Sequence, residues 1–370
     1  MFAIEALSDS FERLHSIGWH AGLHDAASAA LAELDDLETA PRLARVVTVH
    51  RETVQLHDGE CEFAARVRPR LRHALDEQGT ALAVGDWVLV DADAWTRARL
   101  APQTHLVRRD ADGRRHPLAS NVDTALLVMG LDLDFSARRL ERFLTLLAGS
   151  GVRPVVVLTK ADLVAPAASE ALAADEIDAL RARVGPDVPL LAVNGTSPEV
   201  AQQLAPWLEA GRTVVLLGSS GAGKSTLTNT LAGRAVQVTQ QVREHDHRGQ
   251  HTTTARVLHR LPCGACVIDT PGLRALRPDI DADGLAESFG DIERLAPRCR
   301  FRDCRHQGEP GCAVRESVHE DRLRNFHKLQ RELQRDTMTA LEKRELVAGW
   351  KARTRSVRAY MKTKRGEGDR

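Results

Sequence analysis

Thr213-Val214-Val215-Leu216-Leu217-Gly218-Ser219-Ser220-Gly221-Ala222-Gly223-Lys224-Ser225-Thr226 decides the fold. A β-type run of five residues, four of them apolar, leads into G-x-x-x-x-G-K-S, and a helical segment follows from Lys224. Strand, glycine-rich loop and helix in this order form a phosphate-binding loop. Gly218, Gly221 and Gly223 let the backbone amides of Ser219, Ser220 and Ala222 wrap phosphate oxygens, Lys224 reaches the outer phosphates, and Ser225 ligates Mg²⁺. Thr226 continues the loop into the helix. Downstream, Cys266-Val267-Ile268 ends in Asp269-Thr270-Pro271-Gly272. An Asp closing an apolar strand about 45 residues after such a loop holds Mg²⁺ through water, and Gly272 contacts the terminal phosphate. Between them, His251-Thr252-Thr253-Thr254 sits in a polar stretch without apolar periodicity, a pattern that suits a loop supplying a hydroxyl such as that of Thr253 to Mg²⁺ and equally a plain surface loop.

The base-reading element lies upstream. Val155-Val156-Val157-Leu158-Thr159-Lys160-Ala161-Asp162 is a strand followed by T-K-x-D, in which Asp162 accepts from N1 and N2 of guanine and Lys160 covers the ring. Leu190–Val193 leads into Asn194-Gly195, which supplies a backbone contact to the base oxygen. Read alone, Thr159–Asp162 also suits a helix N-cap. The order is base reader, phosphate loop, Mg²⁺ aspartate, the reverse of ordinary GTPases; the same sheet serves with its chain ends moved.

Further strands at Thr124–Met129 and Val188–Val193 alternate with helices at Ser136–Leu147, Ser169–Val184 and Pro198–Leu208. This alternation predicts a mostly parallel sheet with helices on both faces. Before it, short strands around Ala44–His50, Gln55–Phe63 and Gly85–Val90 predict a small β-barrel of a kind that periodicity does not specify. Residues 1–40 form a helical extension with Leu7, Phe11, Leu14 and Ile17 at helical spacing. Residues 108–118 are polar and basic, as in a linker or exposed loop. Cys61 is expected as a small core residue, and Cys263 and Cys266 as decoration of a hairpin.

Cys299-x4-Cys304-x-His306-x5-Cys312 puts three of the six cysteines and a histidine into fourteen residues. Soft S and N donors at this spacing favour tetrahedral Zn²⁺, and four protein ligands leave no open position, so the role is structural. Such a cluster also speaks for a reducing compartment. The chain has 370 residues with 51 basic and 51 acidic side chains, so a nucleic-acid surface requires local clustering of charge. One candidate is the end of the chain, Lys343–Arg370, with ten Lys/Arg against three acids. Apolar runs such as Val155–Leu158 fall far short of a membrane span, and Glu5, Asp9 and Glu12 argue against a secretory signal. A cytoplasmic protein without membrane association is expected.

The succession of barrel, T-K-x-D, G-x-x-x-x-G-K-S-T, H-T-T-T, D-T-P-G and C-x4-C-x-H-x5-C resembles the RsgA (YjeQ) family, circularly permuted GTPases of small ribosomal subunit assembly. Gly85-Asp86-Trp87-Val88, Asn121-Val122-Asp123 and Arg138-Arg139-Leu140-Glu141-Arg142 agree with it, and Leu14-His15-Ser16-Ile17-Gly18-Trp19 matches the L-x-x-[LI]-G-W element of one subgroup. Thr159 departs from the usual Asn of N-K-x-D. The resemblance implies a multidomain α/β protein. Its parts are an extension (1–40), an OB-fold barrel (41–107), a permuted G domain (115–280), a helical zinc domain (281–345) and a basic tail (346–370). It implies a monomeric GTP hydrolase carrying one Zn²⁺ and using Mg²⁺ with GTP or GDP, stimulated by the 30S subunit and its 16S rRNA. Leu273 follows Gly272 where many GTPases place a Gln, so His251 becomes the candidate to align the attacking water, with Lys224 and Thr253 assisting. Two other classes share parts of the pattern: an ATP-dependent P-loop kinase, and an RNA-binding scaffold using GTP only as a switch ligand.

Overall fold

The computed structural model describes residues 7–34, 39–110, 112–132, 135–163, 169–237, 255–272, 276–338, 342 and 356–357. They fall into two compact units, Met1–Ser288 and Phe289–Arg370. Among the described residues no helix is long and apolar enough to cross a membrane.

The extension folds as α1 (Ser8–His15) and α2 (His24–Ala32). Leu14 and Ile17 are fully buried, and Gly18 at φ +92° breaks the helix so that the chain turns back. Trp19 then meets Trp87 edge-on at 5.0 Å. The barrel comprises β1 (Arg42–Val49), β2 (Thr53–His57), β3 (Glu62–Val67), α3 (Pro69–Glu77), β4 (Trp87–Val90) and β5 (Trp95–Arg99). It closes in the order β1-β2-β3-β5-β4, with β3 and β5 parallel. A helix between the third and fourth strands and this strand order make it an OB-fold barrel. Ala44, Val46, Val54, Leu56, Ala65, Val88 and Val90 fill it, with Leu75 from α3.

Two expectations fail here. The basic stretch 108–118 is no linker: β6 (His105–Arg109) and β7 (Arg115–Ser120) form an antiparallel hairpin. Its charges conceal the strands because they are used: Arg109 and Arg115 both pair with Asp279 at 2.6 Å. Cys61 is exposed. It closes the β2–β3 turn, where its amide donates to Asp58 Oδ1 at 2.9 Å, so the turn geometry decides its placement.

The α/β sheet follows as β8 (Thr124–Gly130), α4 (Ala137–Leu147), β9 (Arg153–Thr159), α5 (Ser169–Val184), β10 (Leu190–Ala192), α6 (Val200–Leu204), β11 (Thr213–Leu217), α7 (Lys224–Ala232), β12 (Val257–Arg260) and β13 (Cys266–Asp269). The expected helix 198–208 is shorter, giving way to a 3₁₀ turn at Ala205–Trp207 where Pro206 removes a donor. Strand order is β10-β9-β8-β11-β13-β12, parallel except for β12. Alternate residues serve two cores. Val156 and Leu158 join Leu140, Phe143 and the N-terminal extension, whereas Val155 and Val157 pack with Leu204, Leu227 and Leu231. A strand covered on both faces reads as one apolar run for this reason. α8 (Ala282–Ser288) ends the unit.

Arg45 joins the parts of this unit. It is fully buried and donates to the carbonyls of Ile17, Gly85 and Asn121 and to Thr213 Oγ1. Four acceptors offset a desolvation cost of several kcal/mol for an unpaired buried cation. The second unit holds α9 (Gly290–Leu295), α10 (Ala313–Ser317) and α11 (Glu320–Thr337) around Phe289, Ile292, Val314, Phe326 and Leu329. Arg322 there binds Asp291 through two nitrogens at 2.8 and 2.6 Å.

Candidate nucleotide site and metal centre

The loops at the carboxyl ends of β9, β10, β11 and β13 converge, as expected for ligand sites of parallel sheets. All five residues of β11 are buried, so the loop after it starts from a rigid edge. Gly221 and Gly223 take φ of +82° and +91°, values that let the chain curl before α7 begins at Lys224. The helix N-terminus adds its positive end. Lys224 is 6% exposed, and Nζ donates to the carbonyls of Gly218 (3.0 Å) and Ser219 (2.6 Å).

Asp269 and Ser225 meet beneath this loop. Ser225 Oγ donates to Asp269 Oδ2 at 3.3 Å. Asp269 is 0% exposed, and its Oδ1 is buried without a hydrogen-bond partner. Burial pushes its carboxyl up to about 6, against the pull of Lys224 and the Ser225 hydroxyl. A buried carboxylate oxygen lacking a partner beside a hydroxyl can hold a hydrated Mg²⁺. Gly272 comes so close to the loop that an added Cβ would lie 2.5 Å from the backbone of Ser220. The Asp269–Gly272 segment thus meets the loop backbone to backbone.

The T-K-x-D corner follows β9, which β8 separates from β11. Thr159 is buried and its Oγ1 donates to the Ala222 carbonyl at 2.7 Å. Lys160 adopts a left-handed φ of +62°, and its ammonium pairs with Asp132 at 2.5 Å. Non-glycine residues held there are strained and cluster at functional sites. Ala161–Leu163 form a 3₁₀ turn that leaves Asp162 exposed. Asn194 Oδ1 accepts from the amide and hydroxyl of Thr196, and the Gly195 carbonyl accepts from Thr230 Oγ1 on α7 at 2.8 Å. Residues 159–162, 194–195, 218–226 and 269–272 are therefore neighbours. His251 and Thr253, with Thr252, Thr254 and Leu273, lie outside the described residues. Asp132 escaped the sequence reading, because nothing in Leu131-Asp132 signals a partner for a lysine 28 positions away.

In the second unit, ligand atoms of Cys299, Cys304, His306 and Cys312 all lie within 4.8 Å of one another. His306 Nδ1 is 3.6 Å from Cys299 Sγ and 3.4 Å from Cys312 Sγ. Cys312 caps α10, its sulfur accepting from the Arg315 amide at 3.5 Å. Glu309 accepts from the amides of Arg305, Gln307 and Gly308, and these bonds hold its carboxyl down at about 2. They shape the turn between His306 and Cys312. Three sulfurs and one imidazole nitrogen form a closed set that can hold a metal ion.

Known proteins resemble this chain in sequence and in fold. The RsgA GTPase family model matches residues 100–278, from the β6–β7 hairpin through D-T-P-G. A model described as ABC transporter matches residues 202–365, a span that includes the phosphate loop but omits the T-K-x-D strand. The small ribosomal subunit biogenesis GTPase RsgA of Xanthomonas axonopodis pv. citri (strain 306) is 42% identical over 335 residues, covering 88% of this chain and 90% of that protein. Its counterpart from Xanthomonas oryzae pv. oryzae (strain MAFF 311018) is 42% identical over 337 residues, with 88% and 90% covered. YjeQ from Thermotoga maritima superposes with TM-score 0.56 at 25% identity, covering 80% of this chain and 99% of that one. YloQ, a circularly permuted GTPase, superposes at 0.53 and 23% identity, covering 83% and 99%.

Proposed function

The chain belongs to the RsgA family of GTPases, and from that premise we propose that it hydrolyses GTP on the 30S ribosomal subunit during late maturation, stimulated by that subunit. The observation that carries the reading is the meeting of Ser225 and the partnerless oxygen of Asp269 under a loop flanked by T-K-x-D. Loop amides and Lys224 hold the β- and γ-phosphates. Asp162 pairs with N1 and N2 of guanine, Lys160 lies over the ring, and the Asn194-Gly195 backbone takes the base oxygen. Ser225, Asp269 and Thr253 would hold Mg²⁺, which neutralises charge developing on the phosphates. Gly272 senses the terminal phosphate.

Leu273 has no hydrogen-bonding group, so His251 is assigned to align the attacking water. Cys299, Cys304, His306 and Cys312 hold one structural Zn²⁺. The protein acts as a cytoplasmic monomer that binds 16S rRNA through local basic patches, with an affinity that falls as salt rises.

Two measurements test this. Asp162→Asn should lower GTP affinity about 100-fold and favour xanthosine triphosphate, because the amide pairs with the xanthine oxygen. Unchanged GTP affinity places the reader elsewhere, and competition by ATP would favour a kinase. His251→Ala should cut 30S-stimulated turnover at saturating GTP about 100-fold. Equal stimulated turnover removes His251 from the mechanism.

A further inference from the structure

Thr159 stands where the T-K-x-D corner departs from N-K-x-D, and its surroundings define what its one proton does. Oγ1 donates to the Ala222 carbonyl at 2.7 Å, with the Met129 carbonyl more distant at 3.4 Å. An added Cβ at Gly223 would sit 3.2 Å from Oγ1, and one at Gly195 would sit 3.8 Å from Cγ2. Thr159 is therefore wedged between the phosphate loop and the Asn194-Gly195 turn. If the base sits as proposed above, with N1 and N2 at Asp162 and its oxygen at Gly195, the adjacent N7 would face Thr159.

N7 is an acceptor. A hydroxyl has one donor hydrogen, and here the Ala222 carbonyl takes it, so Thr159 offers N7 only lone pairs. We propose that Thr159 is a positioning residue that braces the base-reading strand to the phosphate loop, leaves N7 unread, and so lets the chain accept guanine nucleotides lacking N7. An Asn in its place would carry an acceptor and two donor hydrogens, enough to brace the loop and read N7 together. This rests on Asp162 as base reader.

The test titrates GTP and 7-deaza-GTP, each with Mg²⁺, onto the full chain by calorimetry. The unmodified protein should bind the two within about threefold of each other. Thr159→Asn should prefer GTP by about tenfold, since a donor built to meet N7 is left unpaired without it. Thr159→Val should weaken both nucleotides about equally, by about tenfold, and Thr159→Ser should bind both like the unmodified protein. A merely structural role would not move the ratio in the Asn variant while leaving it unmoved in the Val variant. If Thr159→Asn fails to fold, the ratio in the unmodified protein and the Ser and Val pair decide. Tenfold rejection of 7-deaza-GTP by the unmodified protein overturns the proposal, as does normal GTP binding by Thr159→Val. Failure of the underlying reading looks different: Asp162→Asn would then keep its preference for GTP over xanthosine triphosphate, whatever 7-deaza-GTP does.

Discussion

The candidate nucleotide site and the cysteine–histidine cluster are built in opposite ways. The first gathers residues from 159 to 272 through four strands of one sheet, of which β9, β11 and β13 are largely buried and β10 is a partly exposed edge. The second gathers its ligands from fourteen consecutive residues, three of them half-buried. A long-range site inherits its geometry from the core, so losing one of its side chains costs chemistry and leaves the fold. A local cluster supplies the cross-links its surroundings lack, so losing a ligand costs the fold around it.

Cys304→Ser should expose this contrast most sharply. Bound metal should fall from about one per chain to less than about a tenth, and proteolysis should open residues 289–338 while 7–288 resist. Full metal retention would reject these four residues as the ligand set. Lys224→Ala should reverse the pattern, lowering turnover at saturating GTP by about 100-fold with metal content and circular dichroism intact. Loss of sheet signal in that variant would break the distinction.

Arg45→Met strikes the long-range unit without touching a nucleotide-site residue. Three carbonyls and Thr213 Oγ1 lose their donor, so unfolding of the first unit should become easier by about 3 kcal/mol in urea, with zinc unaffected. An unchanged midpoint would mean that the extension docks by apolar contact alone.

The smallest effect is in pH. His105 bonds to Thr80 Oγ1 and Ser120 Oγ, and burial, with the nearby Arg99 and Arg115, brings its pKa down to about 4 from 6.5. Neutral in the fold and protonated when unfolded, it contributes stability that is present above 6.5 and lost as pH falls toward 4. About 2 kcal/mol of acid sensitivity should disappear in His105→Gln, after allowance for partial exposure. An unaltered slope in that variant would assign the acid sensitivity to other groups.

Much of this was legible from residue patterns. Val155–Leu158 and Thr213–Leu217 announced doubly covered strands because only apolar side chains suit both faces. The turn chemistry of Gly218–Ser225 has few other uses. The β6–β7 hairpin was not legible, because Arg109 and Arg115 look solvated until Asp279, some 165 residues on, is brought to them. Cys61 misled for the converse reason: its apolar character is overruled by a turn that spends its amide on Asp58.

By itself the sequence determined the parts whose chemistry is local. These are the phosphate loop, the cysteine–histidine cluster, the β-rich segment before the sheet and the permuted order of motifs, since spacing along the chain constrains them directly. The tertiary structure alone decided which distant groups meet. It gave Lys160 to Asp132, Thr159 to Ala222 and Arg45 to Ile17 and Thr213, because a donor's partner depends on how β8, β9 and β11 lie side by side and how β1 and the extension pack on them, and that arrangement leaves no mark on either residue.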